Sequence, residues 1–195
     1  MKFPALASRP LRRATGAALA VVLLTLTATR SATAAAATPP PVAAAPVANQ
    51  AEALFTQAVT ARKTGNHDQA LDQLEKASQL APDRIDILFE LGTLAGELSG
   101  PRSSIPLARK AKNSLERVLE LAPKHTGARE WLIGFYSGAP WFVGGSMKKA
   151  YHHAEILATQ DAGKGFYWTH RLYLQDERYD DAFALCDAAL VQQPQ

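Results

Sequence analysis

Residues 51–84, AEALFTQAVTARKTGNHDQALDQLEKASQLAPDR, constrain the fold more than any other stretch of the chain. They read as two short amphipathic helices, joined at Thr64-Gly65-Asn66 and stopped at Ala81-Pro82. Small residues (Ala58, Ala70 and Ala77) stand where two helices must touch, and Leu54, Phe55, Leu74 and Leu80 lie between them. Gly65 suits a helix end, and Asn66 with Gln69 three residues on predicts a capping box. Pro82 forbids continuation of the second helix.

The same spacing returns. A second unit spans 85–125, with helices over about 85–98 and 105–121, and ends at Ala122-Pro123. It is about seven residues longer than the first, and the breaker cluster 99–104 assigns the surplus to a loop. A third unit spans 126–162: Trp131, Leu132, Ile133 and Tyr136 mark one helix, and Ala150, Ala154 and Leu157 the next. Between them lies a Gly- and aromatic-bearing insertion, 138–146, whose Ser146 is a natural N-cap. In the fourth unit, 163–195, Phe166, Tyr173, Tyr179, Ala182, Cys186, Ala189 and Pro194 fall at the spacings of the first. Glu177 stands where the turn glycine would be, which predicts a less sharp turn.

A 34-residue helix pair with Ala58, Gly65, Ala70, Ala77 and Pro82 in one register resembles the tetratricopeptide repeat. More narrowly, Pro140, Gly144, Gly145, Lys149 and Ala150 resemble a group of bacterial exported tetratricopeptide-repeat proteins with a Gly-Gly loop in the third repeat. The resemblance implies an all-α, helix-turn-helix repeat solenoid of about four units, a right-handed superhelix with the first helix of each pair lining a concave face. Carried over by register, the groove positions are Glu52, Phe55, Val59, Arg62 and Lys63 in the first unit, and Asp86, Phe89 and Thr93 in the second. The third contributes Glu130; the fourth contributes Lys164, Tyr167, Arg171 and Leu174. This implies a groove with aromatic centres and basic edges. The carboxylate clamp known in the family needs asparagines where Val59 and Thr93 stand, which argues against that activity here.

The first fifty residues have another character. Lys2, Arg9, Arg12 and Arg13 precede an apolar or small run, 14–29, and Ala32-Thr33-Ala34 supplies an A-x-A site. That order predicts a secretory signal peptide over 1–34 and a mature protein in the periplasm, without stable membrane insertion after cleavage. The run is shorter than the roughly 20 residues a membrane-spanning helix needs. Arg12-Arg13 raises the twin-arginine route, but the residues after the pair favour general secretion. Residues 35–50 are rich in Ala and Pro and read either as a semi-rigid tether or as a disordered leader.

Lys2, Arg9, Arg12, Arg13 and Arg30 all lie in 1–34, which holds no acid, so the remainder carries 16 basic against 18 acidic residues. No basic stripe of the kind that binds nucleic acid survives. Cys186 is the only cysteine, which excludes an internal disulfide and reads as a packed small residue.

No catalytic, cofactor or metal constellation emerges. His152 and His153 are adjacent on a helix and point about 100° apart, so they cannot both face one ion. Ser146 lacks a G-x-S-x-G elbow, and Gly144-Gly145 lacks the following G-K-[ST] of a phosphate loop. The chain therefore reads as a non-enzymatic interaction scaffold of the bacterial cell envelope, taking a protein or peptide in the groove. A small-ligand-binding accessory protein of an envelope transport system is the alternative, favoured by a deep closed pocket near Trp141. A self-associating assembly subunit is the third reading. Trp141-Phe142-Val143 either folds back over its helix pair or anchors a partner. Phe183 and Leu190, two turns apart on the final helix, are expected to face a missing neighbour and to drive self-association or docking of a partner helix.

Overall fold

The computed structural model describes residues 44–191, and the expected signal peptide and cleavage site, most of the Ala/Pro-rich stretch and Pro194 lie outside them. Eight helices follow in order: α1 (Ala44–Lys63), α2 (His67–Leu80), α3 (Ile85–Ser99), α4 (Ile105–Leu121), α5 (Thr126–Gly138), α6 (Met147–Gln160), α7 (Ala162–Gln175) and α8 (Tyr179–Val191). They pair as α1/α2, α3/α4, α5/α6 and α7/α8, the four units expected. Among the described residues, no helix is long and apolar enough to cross a membrane.

The small residues do what their spacing requires. Ala51, Ala58, Ala70 and Ala77 are wholly buried and let α1 and α2 approach, with Leu74 between them. They form one hydrophobic cluster with Ile87, Leu91 and Leu94 of α3. A second cluster runs from Leu88 through Leu115, Leu132, Tyr136 and Leu157 to Leu172. Thus α3 faces both clusters and joins the first unit to the rest. At Gly92 a Cβ would lie 2.6 Å from Leu115 Cγ, so glycine is what lets α3 and α4 close.

Four expectations are corrected. The helix begins at Ala44, not after residue 50: Pro46 falls in the first turn, where its missing N–H has no intrahelical partner to lose. No capping box forms at Asn66, whose amide nitrogen instead donates to Gln69 Oε1 at 2.8 Å. The surplus of the second unit is the expected loop, with no helix over 100–104, although its first residues continue the helical turn. Gly100 keeps helical dihedrals, and Arg102 N donates to Leu98 O four residues back at 3.2 Å.

The turn at Glu177 is as sharp as that at Gly65. Both residues are left-handed, with φ of 57° and 80°. In each case the next amide closes on the carbonyl five residues back: Asn66 N to Ala61 O at 2.8 Å, and Arg178 N to Tyr173 O at 2.9 Å. Ser103, at φ 49°, closes α3 in the same way, with Ser104 N donating to Ser99 O at 2.9 Å. This is the left-handed helix-end closure, imposed by the pairing whatever the side chain.

The fourth unit also departs in phase. Four residues separate α2 from α3 and α4 from α5, but only Asp161 separates α6 from α7. Asp161 ends α6 and caps α7, its carboxylate accepting from Lys164 N at 2.9 Å. The shortened junction turns α7 so that Gly165 and Leu172 are buried rather than Phe166 and Tyr173. Gly165 lies so close to α6 that a Cβ there would sit 2.2 Å from Ala158 Cα. In α8 only Ala182 is fully buried, and Cys186 and Ala189 are half-buried.

Candidate functional site

The first helices of successive units, α3, α5 and α7, line a trough of about 970 Å³ that opens to solvent. Both insertions border it. Residues 99–105 close one end of the wall, and the 138–146 loop supplies Ala139, Pro140, Phe142 and Val143. Its lining is chiefly apolar, with Trp131, Phe135, Phe142 and Trp168 as the large surfaces.

Local geometry explains why these side chains stand there. Trp131 occupies the space a side chain at Gly96 would need: a Cβ at that position would fall 1.8 Å from its Cζ2. Trp131 stacks on Phe135 with ring centres 5.8 Å apart and planes 14° apart. Trp168 passes over Gly134 at 3.5 Å from the site of a missing Cβ, and its indole N–H donates to Glu130 at 3.4 Å.

The insertion loop is tightly folded. The amides of Val143, Gly144 and Gly145 all donate to Pro140 O, and Ser146 N donates to Tyr136 O at 2.7 Å. A Cβ at Gly145 would meet Ala139 O at 1.7 Å, so the return of the chain requires glycine. Ser146 caps α6 as expected, accepting from Lys149 N at 3.4 Å. Arg109 ties the loop to α4 by donating to Phe142 O at 3.3 Å. The aromatic pair therefore divides: Phe142 turns into the trough, while Trp141 is 85% exposed and lies outside its lining.

A second, smaller hollow lies between α1, α3 and α5 and brings together Phe55, Arg84, Asp86, Phe89 and His125. Phe89 packs on the His125 ring at 4.6 Å, and the Arg84 guanidinium sits over Phe55 at 5.5 Å. Hydrogen bonds donated to the Asp86 and Glu52 carboxylates raise the Arg84 pKa further above its ordinary value.

The basic edges suggested by register are largely neutralised. Arg62 pairs with Glu90 and with Glu97, the latter at 2.5 Å, and donates to Thr93 at 3.2 Å. Lys164 pairs with Glu130 at 2.5 Å. Arg171 packs over the Trp168 ring at 5.3 Å and donates to the Tyr167 hydroxyl at 3.2 Å. Lys63 is exposed and makes no ion pair among the described residues. Several ion pairs span 34 or 35 positions, one repeat length: Arg102–Asp68 at 2.6 Å, Arg117–Asp83 at 2.7 Å, Lys164–Glu130 and Arg62–Glu97. Each joins neighbouring units.

The structure thus gathers Phe142 and Glu130 at the trough, and Phe55 and Phe89 at the smaller hollow. Tyr167 stays exposed beside Trp168 and outside the trough lining. Phe183 and Leu190 are far out in solvent, 71% and 70% exposed. Trp168 is the residue that register reasoning missed.

Residues 51–84 match the Tetratricopeptide repeat family. No curated protein matches the chain. Among solved structures, the chain is similar to YrrB, described as a TPR protein with an unusual peptide-binding site, at 23% identity and a TM-score of 0.58, covering 74% of this chain and 70% of that one. It is similar to MamA at 19% identity and a TM-score of 0.59, covering 73% and 72%. A thermophilic TPR protein of Thermus thermophilus, TTC0263, aligns at 20% identity and a TM-score of 0.54, covering 74% and 75%. The chain is therefore a tetratricopeptide-repeat protein by fold, with residues 51–84 forming the repeat that matches the family itself.

Proposed function

We propose that the protein is a non-enzymatic interaction scaffold that takes an extended, apolar segment of a partner polypeptide in the trough between α3, α5 and α7. The observation that carries this reading is the trough itself: about 970 Å³, open to solvent, and walled by Trp131, Phe135, Phe142 and Trp168. A closed cavity would suit a small ligand; an open one lets a chain enter and leave along the groove. The peptide-binding site ascribed to YrrB, which shares the fold, supports the same reading. Aromatic side chains of this kind carry most of the energy at peptide interfaces.

Peptides selected by display against the chain from residue 35 onward should be rich in bulky apolar residues. Phe142→Ala and Trp168→Ala should each weaken them by about thirtyfold, the equivalent of about 2 kcal/mol. Selected peptides that bind both variants as tightly as the wild type would refute the assignment. In this reading the protein acts in the bacterial envelope after removal of 1–34, a placement supported by the basic, apolar and A-x-A order of that segment. Intact mass of the exported product is expected to give an N-terminus near Ala35.

A second reading, self-association through α8, is favoured by one observation. Phe183, Leu190 and Val191 of that helix are 71%, 70% and 86% exposed.

A further inference from the structure

On the other side of α5 lies a hollow of about 530 Å³ that faces away from the trough. It is lined by Glu116, Leu119 and Glu120 of α4, Arg129 and Tyr136 of α5, and Lys149, His152 and His153 of α6. Its charges do not balance. The Glu116 carboxylate accepts from the Tyr136 hydroxyl and pairs with Lys112 at 2.9 Å. Glu120 pairs with Arg117 at 2.7 Å. Neither acid is left for the cations opposite.

Neither of those cations makes an ion pair among the described residues. Arg129 is 4% exposed, and no carboxylate lies within ion-pair distance of it among the described residues. Its Nη2 donates to Pro123 O at 2.5 Å and its Nη1 lies 3.3 Å from His153 Nδ1, while Nε is buried with no acceptor. Lys149 lies over the Tyr136 ring at 5.0 Å, exposed on its outer side and likewise without an ion pair among the described residues. His153, stacked on Tyr136 at 5.5 Å, is neutral at physiological pH, because burial and the neighbouring Arg129 push its pKa down to about 4. His152 stands on the rim.

A guanidinium buried without a counter-ion is costly to the fold. Arg129 leaves one buried positive charge without a counter-ion beside an open hollow, and Lys149, which Glu116 attracts only through space, adds a second cation at its rim. We propose that this hollow binds a small dianionic oxyanion, a phosphoryl group carried by inorganic phosphate or by a phosphate monoester. Arg129 supplies the buried charge, Lys149 and His152 close over the ligand from the rim, and Leu119 offers an apolar wall to the remainder of an ester. The guanidinium suits the planar face of such an oxyanion, and a flexible ammonium completes its charge.

The test uses the chain from residue 35 onward, in chloride buffer at fixed ionic strength. Inorganic phosphate and glycerol phosphate are titrated separately, with calorimetry and the melting temperature as readouts. Saturable binding of either ligand, with a raised melting temperature, is expected for the wild type. Tighter binding of glycerol phosphate assigns the monoester, and equal binding assigns the free ion. Lys149→Ala should weaken binding at least fivefold and His152→Ala more modestly, both with unchanged helicity. Arg129→Met should abolish binding; if it fails to fold, the two exposed-residue variants still decide. An absence of saturable binding, or the same melting shift in wild type and Lys149→Ala, overturns the proposal, since a general salt effect acts on all variants alike.

Discussion

At the scale of single residues, the polar groups around α5 show how burial and charge set what each can do. Burial works to raise the Glu116 carboxyl pKa, but the hydrogen bonds from Tyr136 and Lys112 and the charges of Lys112 and Lys149 outweigh it and leave it below the ordinary carboxylate value. Tyr136 moves the other way, raised by burial and by the bond to Glu116. His153 carries the clearest consequence. Its folded pKa is depressed to about 4, so below its unfolded value near 6.5 the unfolded chain binds a proton that the native chain does not. Stability is unaffected by this group above pH 6.5 and falls as the pH drops from there to about 4, by on the order of 2 kcal/mol. Urea midpoints measured across that window should decline for the wild type and decline less for His153→Phe, which keeps the stack on Tyr136. An equal decline in both would assign the acid sensitivity elsewhere.

At the scale of helices and turns, a left-handed residue closes α1, α3 and α7, and the sequence meets that requirement unevenly. Gly65 adopts φ 80° freely, whereas Glu177 at 57° bears the crowding of its Cβ. Gly65→Ala should therefore destabilise by about 1–2 kcal/mol. Glu177→Gly should stabilise by about 0.5–1 kcal/mol, since relief of strain exceeds the added freedom of the unfolded chain. Opposite signs in chemical denaturation are the signature; like signs would mean that the two turns are not equivalent in solution. The α6–α7 crossing depends on Gly165 for a different reason, close backbone contact with Ala158. Gly165→Ala is expected to cost about 1–3 kcal/mol through overpacking, with a lowered melting temperature as the readout.

At the scale of the whole molecule, four helix pairs present two faces with different chemistry, an apolar trough on one side of α5 and a cationic hollow on the other. The smaller hollow extends the trough side toward α1. Phe89→Ala and Arg171→Ala, at either end of that surface, should each weaken a partner that spans it while leaving helicity unchanged; equal affinities would confine the partner to the central trough. The exposed side of α8 bears on assembly. If Phe183 and Leu190 are buried between copies, each contributes about 1.5–3 kcal/mol. Light scattering at high micromolar concentration should then show a larger species for the wild type and a monomer for Phe183→Glu/Leu190→Glu. A monomeric wild type removes the self-association reading.

The all-α repeat architecture, the helix boundaries after the first helix's start, the cap at Ser146 and the stop at Pro82 were all legible in the chain, because each depends on residues close together in sequence. Apolar spacing, glycine at a turn and proline after a helix act within one unit, and the same signals recur unit by unit. What needed the tertiary structure depends on distances between units. The single-residue junction at Asp161 rotates α7 by one position, replacing Tyr167 with Trp168 in the trough, and nothing within 162–175 signals that rotation. Arg62 and Lys164 read as free groove cations until glutamates one repeat away are seen to neutralise them. Arg129 reads as an ordinary helix residue, and only the packing of α4, α5 and α6 around it removes it from water without supplying a carboxylate. Local order follows from local chemistry, whereas the charge and shape of a surface follow from which units meet and at what angle.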